Sequence, residues 1–117
     1  MATLTRLVEP GKRGGGVRQR RSLRRTFLEA QYALGERMYA ARIDDGQLGA
    51  QIAACDRQIA QREAGSSTQA LLTERRQLIL QLAAAALAEE GPLPGADAEY
   101  QAARAAQAAL HAYERGS

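Results

Sequence analysis

The chain has 117 residues and a formal net charge of +3, a length typical of one domain. Its single cysteine, Cys55, excludes an internal disulfide and a cysteine-based zinc site within one chain. Alanine supplies 25 of the apolar residues, and there is one Phe and no Trp. Because alanine buries little area, the core depends on fourteen Leu and four Ile, which is thin for a deep globular core and favours self-association.

Charge is divided unequally along the chain. Eight cations and one carboxylate give the residues up to Arg25 a net charge of +7, whereas eight arginines and twelve carboxylates give the remainder −4. Residues 1–16 contain Pro10 and the run Gly14-Gly15-Gly16, so they are predicted to be a flexible basic tail. No continuous apolar segment typical of a signal peptide is present there, and a cytoplasmic location is expected; an organellar transit peptide is the less favoured alternative.

The first helix is predicted over residues 17–43. Leu23, Phe27, Ala30, Leu34, Met38 and Ala41 recur at spacings of three and four, which is one stripe of an α-helix. Gly35 lies in the middle of this helix, where glycine costs about 1 kcal/mol relative to alanine. We therefore expect another helix to approach closely at Gly35.

The second helix is predicted over residues 45–64, with Asp44 or Asp45 capping its start. Leu48, Ile52, Cys55 and Ile59 form a narrow, heptad-like seam. The short turn before it predicts that the first two helices are antiparallel neighbours. A third helix follows over residues 68–89, with Leu71, Leu78 and Leu82 on one stripe. A break at Gly65 is favoured over a kinked continuation.

Residues 91–97 form a connector rich in proline and glycine, after which a fourth helix is predicted over residues 98–117, capped by Asp97. This helix is rich in alanine, with Tyr100, Leu110 and Tyr113 as its large apolar residues, so it is expected to pack weakly or to act as a docking element. The predicted fold is all-α: an antiparallel up-down bundle or hairpin over residues 17–90 with coiled-coil-like packing, a basic N-terminal arm and the C-terminal helix. The packing core is expected to contain Leu23, Phe27, Leu34, Met38, Leu48, Ile52, Cys55, Ile59, Leu71, Leu78 and Leu82.

No constellation of catalytic residues is evident. Cys55 falls on the apolar seam and is interpreted as a core residue, and His111 is interpreted as a solvated residue. The glycine run follows no strand and has its lysine on the wrong side, so it is not a phosphate-binding loop. The prediction is a non-enzymatic protein with no metal, no cofactor and no small-molecule substrate.

The arginine cluster has the most specific physical content. Arg18, Arg21 and Arg25 share one helical face, and Arg20 and Arg24 form an adjacent ridge. Contacts to an anionic partner are expected from Lys12, Arg13, Arg18, Arg20, Arg21, Arg24 and Arg25. The alternatives are pairing with the protein's own carboxylates, nucleic acid bound through phosphates, an anionic protein, or, less favoured, an anionic membrane surface.

The resulting hypothesis is a small helical protein that acts through helix–helix association, as a self-associating protein or an adaptor. The second hypothesis is a nucleic-acid-associated protein whose basic arm contacts phosphates without sequence preference.

Overall fold

The computed structural model describes residues 2–43, 46–62 and 68–116, with side chains described from residue 16 onward. Four helices make up this part of the chain: α1 (Ala2–Ala40), α2 (Gln47–Gln61), α3 (Gln69–Leu87) and α4 (Asp97–Gly116). No strand occurs among the described residues. The predicted all-α class is therefore confirmed.

The start of α1 differs from the sequence expectation. The helix begins at Ala2 and not near residue 17, so residues 2–16 have helical backbone where a tail without regular structure was predicted. Intrinsic propensity opposes this outcome, because glycine costs about 1 kcal/mol and proline about 3 kcal/mol inside a helix. This stretch is therefore the part of α1 with the weakest local preference for helix.

The end of α1 has the geometry of a Schellman motif. The Ile43 amide donates to the Met38 carbonyl at 2.8 Å and the Arg42 amide donates to the Tyr39 carbonyl at 3.1 Å. Arg42 occupies the left-handed position with φ of 60°, where glycine is usual. The motif turns Ile43 back toward Met38, and both side chains line one hollow together with Leu48.

Helices α2 and α3 pack against each other in opposite directions. Cys55 contacts Glu74 at one end of the pair, and Leu48 lies near Ala86 at the other. Among the described residues, α2 packs more extensively on α3 than on α1. The short turn predicted that α1 and α2 are neighbours, and they do meet, through the hydrogen bond from Tyr39 to Asp56, but α1 is the lesser packing partner of α2. The predicted cap at Asp44 or Asp45 and the predicted break at Gly65 lie outside the described residues.

Helices α1 and α3 approach each other closely at Gly35. A Cβ atom built at this position would overlap the carbonyl oxygen of Ile79 and lie 2.6 Å from its Cγ2 atom. One turn before this contact, the Gln31 side-chain amide donates to the Leu80 carbonyl at 2.9 Å. The expectation that Gly35 permits close approach of a second helix is confirmed, and the second helix is α3.

Helix α4 packs along α1, contrary to the expectation of weak packing. The Tyr113 hydroxyl donates to the Gly16 carbonyl, and the Arg37 Nε donates to the Gly95 carbonyl at 2.9 Å, so the two helices run antiparallel. Alanine explains the difference, because a small side chain lets helix backbones approach: Ala103 is completely buried. Asp97 is the first residue of α4 and accepts from the Leu93 amide, so it fastens the connector and does not cap its own helix.

The core is thin. The molecule has a smallest extent of 17 Å, which accommodates about two helices packed 8–10 Å apart. Of the predicted packing residues, seven are buried: Leu34, Met38, Ile52, Cys55, Leu71, Leu78 and Leu82. The other four are partly exposed: Leu23, Phe27, Leu48 and Ile59. The buried set also includes residues outside the predicted core: Ile79, Ala83, Leu87, Ala96, Tyr100, Ala103 and Leu110.

Candidate interaction surface

An arginine row occupies exposed positions in the middle of α1. We use this name for Arg18, Arg20, Arg21, Arg24 and Arg25, all of which are exposed. Arg20 pairs with Glu114 of α4, with 3.4 Å between Nη2 and Oε2. None of the other four has a carboxylate within ion-pair distance among the described side chains. Pairing with the protein's own carboxylates therefore accounts for one member of the row.

Part of this row faces α3 across a groove. We call it the arginine groove, and it is lined by Arg21, Arg24, Arg25, Leu28 and Glu29 of α1 and by Arg76 of α3. Four guanidinium groups and one carboxylate give its lining a net charge of +3. The sequence did not indicate Arg76 as a site residue, since only the packing of α3 on α1 brings it to the row.

Arg76 is held in position by an aromatic ring. Its guanidinium carbon lies 5.0 Å from the centroid of the Tyr32 ring, within the range of a cation–π contact. The Tyr32 hydroxyl in turn donates to Glu36 at 2.9 Å. Because Tyr32 is fixed at both its ring and its hydroxyl, Arg76 loses less side-chain freedom when it engages an anion.

Exposed apolar side chains accompany the arginines. Among the described residues, the large hydrophobic side chains with the greatest exposure are Val17 (59%), Leu28 (45%) and Leu72 (46%). Val17, Arg21 and Leu28 follow at spacings of four and seven and therefore share one face of α1. Leu72 precedes Arg76 by four residues and shares its face of α3. The surface thus combines positive charge with apolar area.

A polar cluster joins three helices beside the groove. Arg75 of α3 donates two hydrogen bonds to Glu36 of α1, at 3.1 and 3.0 Å, and one to Asp56 of α2, at 2.6 Å. Tyr39 donates to the other oxygen of Asp56 at 3.1 Å. This cluster was not predicted, because its members come from separate helices and no local pattern connects them.

Electrostatics within the cluster follow from this geometry. The hydrogen bonds from Arg75 hold the pKa of Glu36 below its usual value, and those same bonds raise the pKa of Arg75. Burial, followed by the hydrogen bonds to Glu36 and Asp56, raises the pKa of Tyr32 and of Tyr39. The cluster is satisfied internally, so it fixes α1, α2 and α3 together and leaves no group directed at a ligand.

Neither Cys55 nor His111 lines the arginine groove. Cys55 is buried, its Sγ lies 3.5 Å from a carboxylate oxygen of Glu74, and burial raises the pKa of the thiol. His111 is exposed on α4. Within the described part of the chain, no three His, Cys, Asp or Glu side chains form a group able to hold a metal ion. The side chains of Lys12 and Arg13 lie outside the described set.

Searches of protein-family models, curated proteins and solved structures find no match for this chain. Across the described residues, none of the helices combines the length and the apolar character that crossing a membrane requires.

Proposed function

We propose that this chain is a non-enzymatic interaction protein that acts through helix–helix association of the coiled-coil type, by self-association or as an adaptor. The observation that carries the proposal is the mixed surface where α1 and α3 meet: Leu28 lines the arginine groove, Leu72 lies one helical turn before Arg76, and both are nearly half exposed. Exposed apolar side chains that lie together on a monomer are typical of a surface that contacts another molecule.

The shape of the molecule supports this proposal. Its radius of gyration is 19.0 Å, whereas a compact domain of this length has one of about 13 Å. An extended molecule with a thin core gains additional buried apolar area by adding a helical layer from another molecule.

Sedimentation equilibrium tests the self-associating form of the function. We expect a mass that rises with concentration for the unaltered protein and that rises less for the double variant Leu28→Gln and Leu72→Gln. Arg57→Gln, an exposed change on α2, is the matched control and should behave as the unaltered protein. A monomer mass that does not change with concentration would exclude self-association, and only the adaptor form of the proposal would remain.

The second candidate is a nucleic-acid-associated protein. The arginine row favours it, because the four arginines of the row other than Arg20, which pairs with Glu114, lie within about 10 Å at 1.5 Å per residue, or roughly one charge per 2.6 Å. Duplex DNA carries one charge per ~1.7 Å. A mobility shift at two salt concentrations, with the variant Arg18→Gln, Arg21→Gln and Arg25→Gln, tests it. Binding that is absent, or that the variant leaves unchanged, would exclude this function.

A further inference from the structure

The geometry points to a specific class of partner for the arginine groove: an acidic amphipathic helix supplied by another protein. This inference rests on the proposed function in its adaptor form and names what the adaptor binds. The partner's carboxylates would meet the guanidinium groups of the groove, and its apolar stripe would cover Leu28 and Leu72.

Charge complementarity is the first reason. Arg21, Arg24, Arg25 and Arg76 converge from two helices, and none of them has a carboxylate within ion-pair distance among the described side chains. A guanidinium group binds a carboxylate through two parallel hydrogen bonds, as Arg75 does with Glu36 nearby. Only Glu29 opposes an acidic partner within the groove lining.

The apolar residues decide between helix and nucleic acid. A phosphate backbone offers no hydrocarbon surface to Leu28 or Leu72, and the Tyr32 ring already carries the Arg76 guanidinium over it, which limits base stacking there. An amphipathic helix presents an apolar stripe flanked by charges, which matches leucines flanked by arginines. Such a helix would therefore contact both the arginines and the leucines of this surface.

The site is also partly organised before binding. Gly35 sets the close approach of α1 and α3, and the contact of Arg76 with Tyr32 fixes one charged wall. Grooves between helices commonly bind a further helix through apolar anchors at spacings of three and four residues. The arginine groove therefore needs little rearrangement to accept one.

A designed peptide tests the inference. The probe is a synthetic helix with leucine at every third or fourth position and glutamate beside each leucine, and binding is measured by fluorescence anisotropy. Leu28→Gln should weaken binding roughly three- to tenfold, because 45% of Leu28 is exposed and only that fraction of its area remains for a partner to bury. Arg76→Gln should weaken it about two- to fivefold, as expected for a partly exposed ion pair.

Three controls make the result specific. Arg57→Gln changes net charge by the same amount outside the groove and should leave affinity unchanged, and Glu29→Gln should raise it. A polyglutamate peptide of equal charge, which lacks the apolar stripe, should bind more weakly than the probe. Circular dichroism should show the same helical content for every variant.

The outcomes that overturn the inference are distinct. Equal binding of polyglutamate and the probe, or no effect of Leu28→Gln, would show that charge alone is recognised. Binding to a DNA duplex or to anionic phospholipid vesicles in preference to the probe would assign the groove to that ligand. No binding of any probe to a protein that self-associates in sedimentation would refute this partner while the proposed function stands.

Discussion

Replacing Gly35 with alanine tests the close backbone contact between α1 and α3. The new Cβ would overlap the Ile79 carbonyl oxygen, which belongs to the backbone of α3 and cannot rotate away. Overpacking of this kind costs about 1–3 kcal/mol, whereas alanine improves helix propensity by about 1 kcal/mol. Because the obstacle is backbone, we expect a steric cost in the upper part of this range, about 2–3 kcal/mol, and therefore a net destabilisation of about 1–2 kcal/mol.

Urea unfolding followed by circular dichroism measures this change. Ala33→Gly is the matched control, because Ala33 is exposed on the same helix and reports propensity alone; it should destabilise by about 1 kcal/mol. If Gly35→Ala instead stabilises the protein by a similar amount, the helices do not meet at Gly35 and the crossing of α1 and α3 is incorrect.

Three further predictions follow from named contacts. Arg42→Gly should stabilise the protein by about 1 kcal/mol, because Arg42 has φ of 60°, a left-handed conformation that glycine adopts without strain. Arg57→Gly, inside α2, should destabilise the protein by a similar amount. Thermal unfolding measures both changes, and a midpoint temperature that shifts in the same direction for the two variants would contradict this. The lowered pKa of Glu36 contributes stability that is present above pH 4.5 and is lost as the pH falls through the pKa of Glu36 in the folded protein. Glu36→Gln should therefore flatten the acid side of a curve of unfolding free energy against pH. An unchanged acid side would show that Arg75 does not favour the charged form of Glu36. Cys55 should react with a thiol reagent only as fast as the protein unfolds, and rapid labelling of folded protein would show that it is not buried.

Helical periodicity predicted much of the fold. Leu34, Met38, Ile52 and Leu82 lie on the stripes that spacings of three and four indicated, and all are buried. Such stripes depend on local sequence, because one face of each helix must leave water whichever element covers it. The stripes did not predict which helix packs against each apolar face.

Partner choice between helices depends on tertiary contacts that no local pattern shows. The few large residues of α4 suggested weak packing, yet α4 packs extensively along α1, and its small residue Ala103 is completely buried. Arg76 likewise joins the arginine groove only after α3 packs at Gly35. The row on α1 was visible from sequence because its members are adjacent, whereas the groove was not.

The packing of α4 along α1 decides which charges of the arginine row are free, because Arg20 pairs with Glu114 of α4 whereas the other four arginines have no carboxylate within ion-pair distance among the described side chains. Spin labels at Arg20→Cys and Glu114→Cys, in a Cys55→Ala background, report it through their separation. The structure predicts a single narrow distribution centred below roughly 20 Å, because packed helix axes lie 8–10 Å apart. A broad distribution at longer distances would show that α4 is separate from α1, and would contradict both the pairing of Arg20 with Glu114 and the packing of the four helices described above.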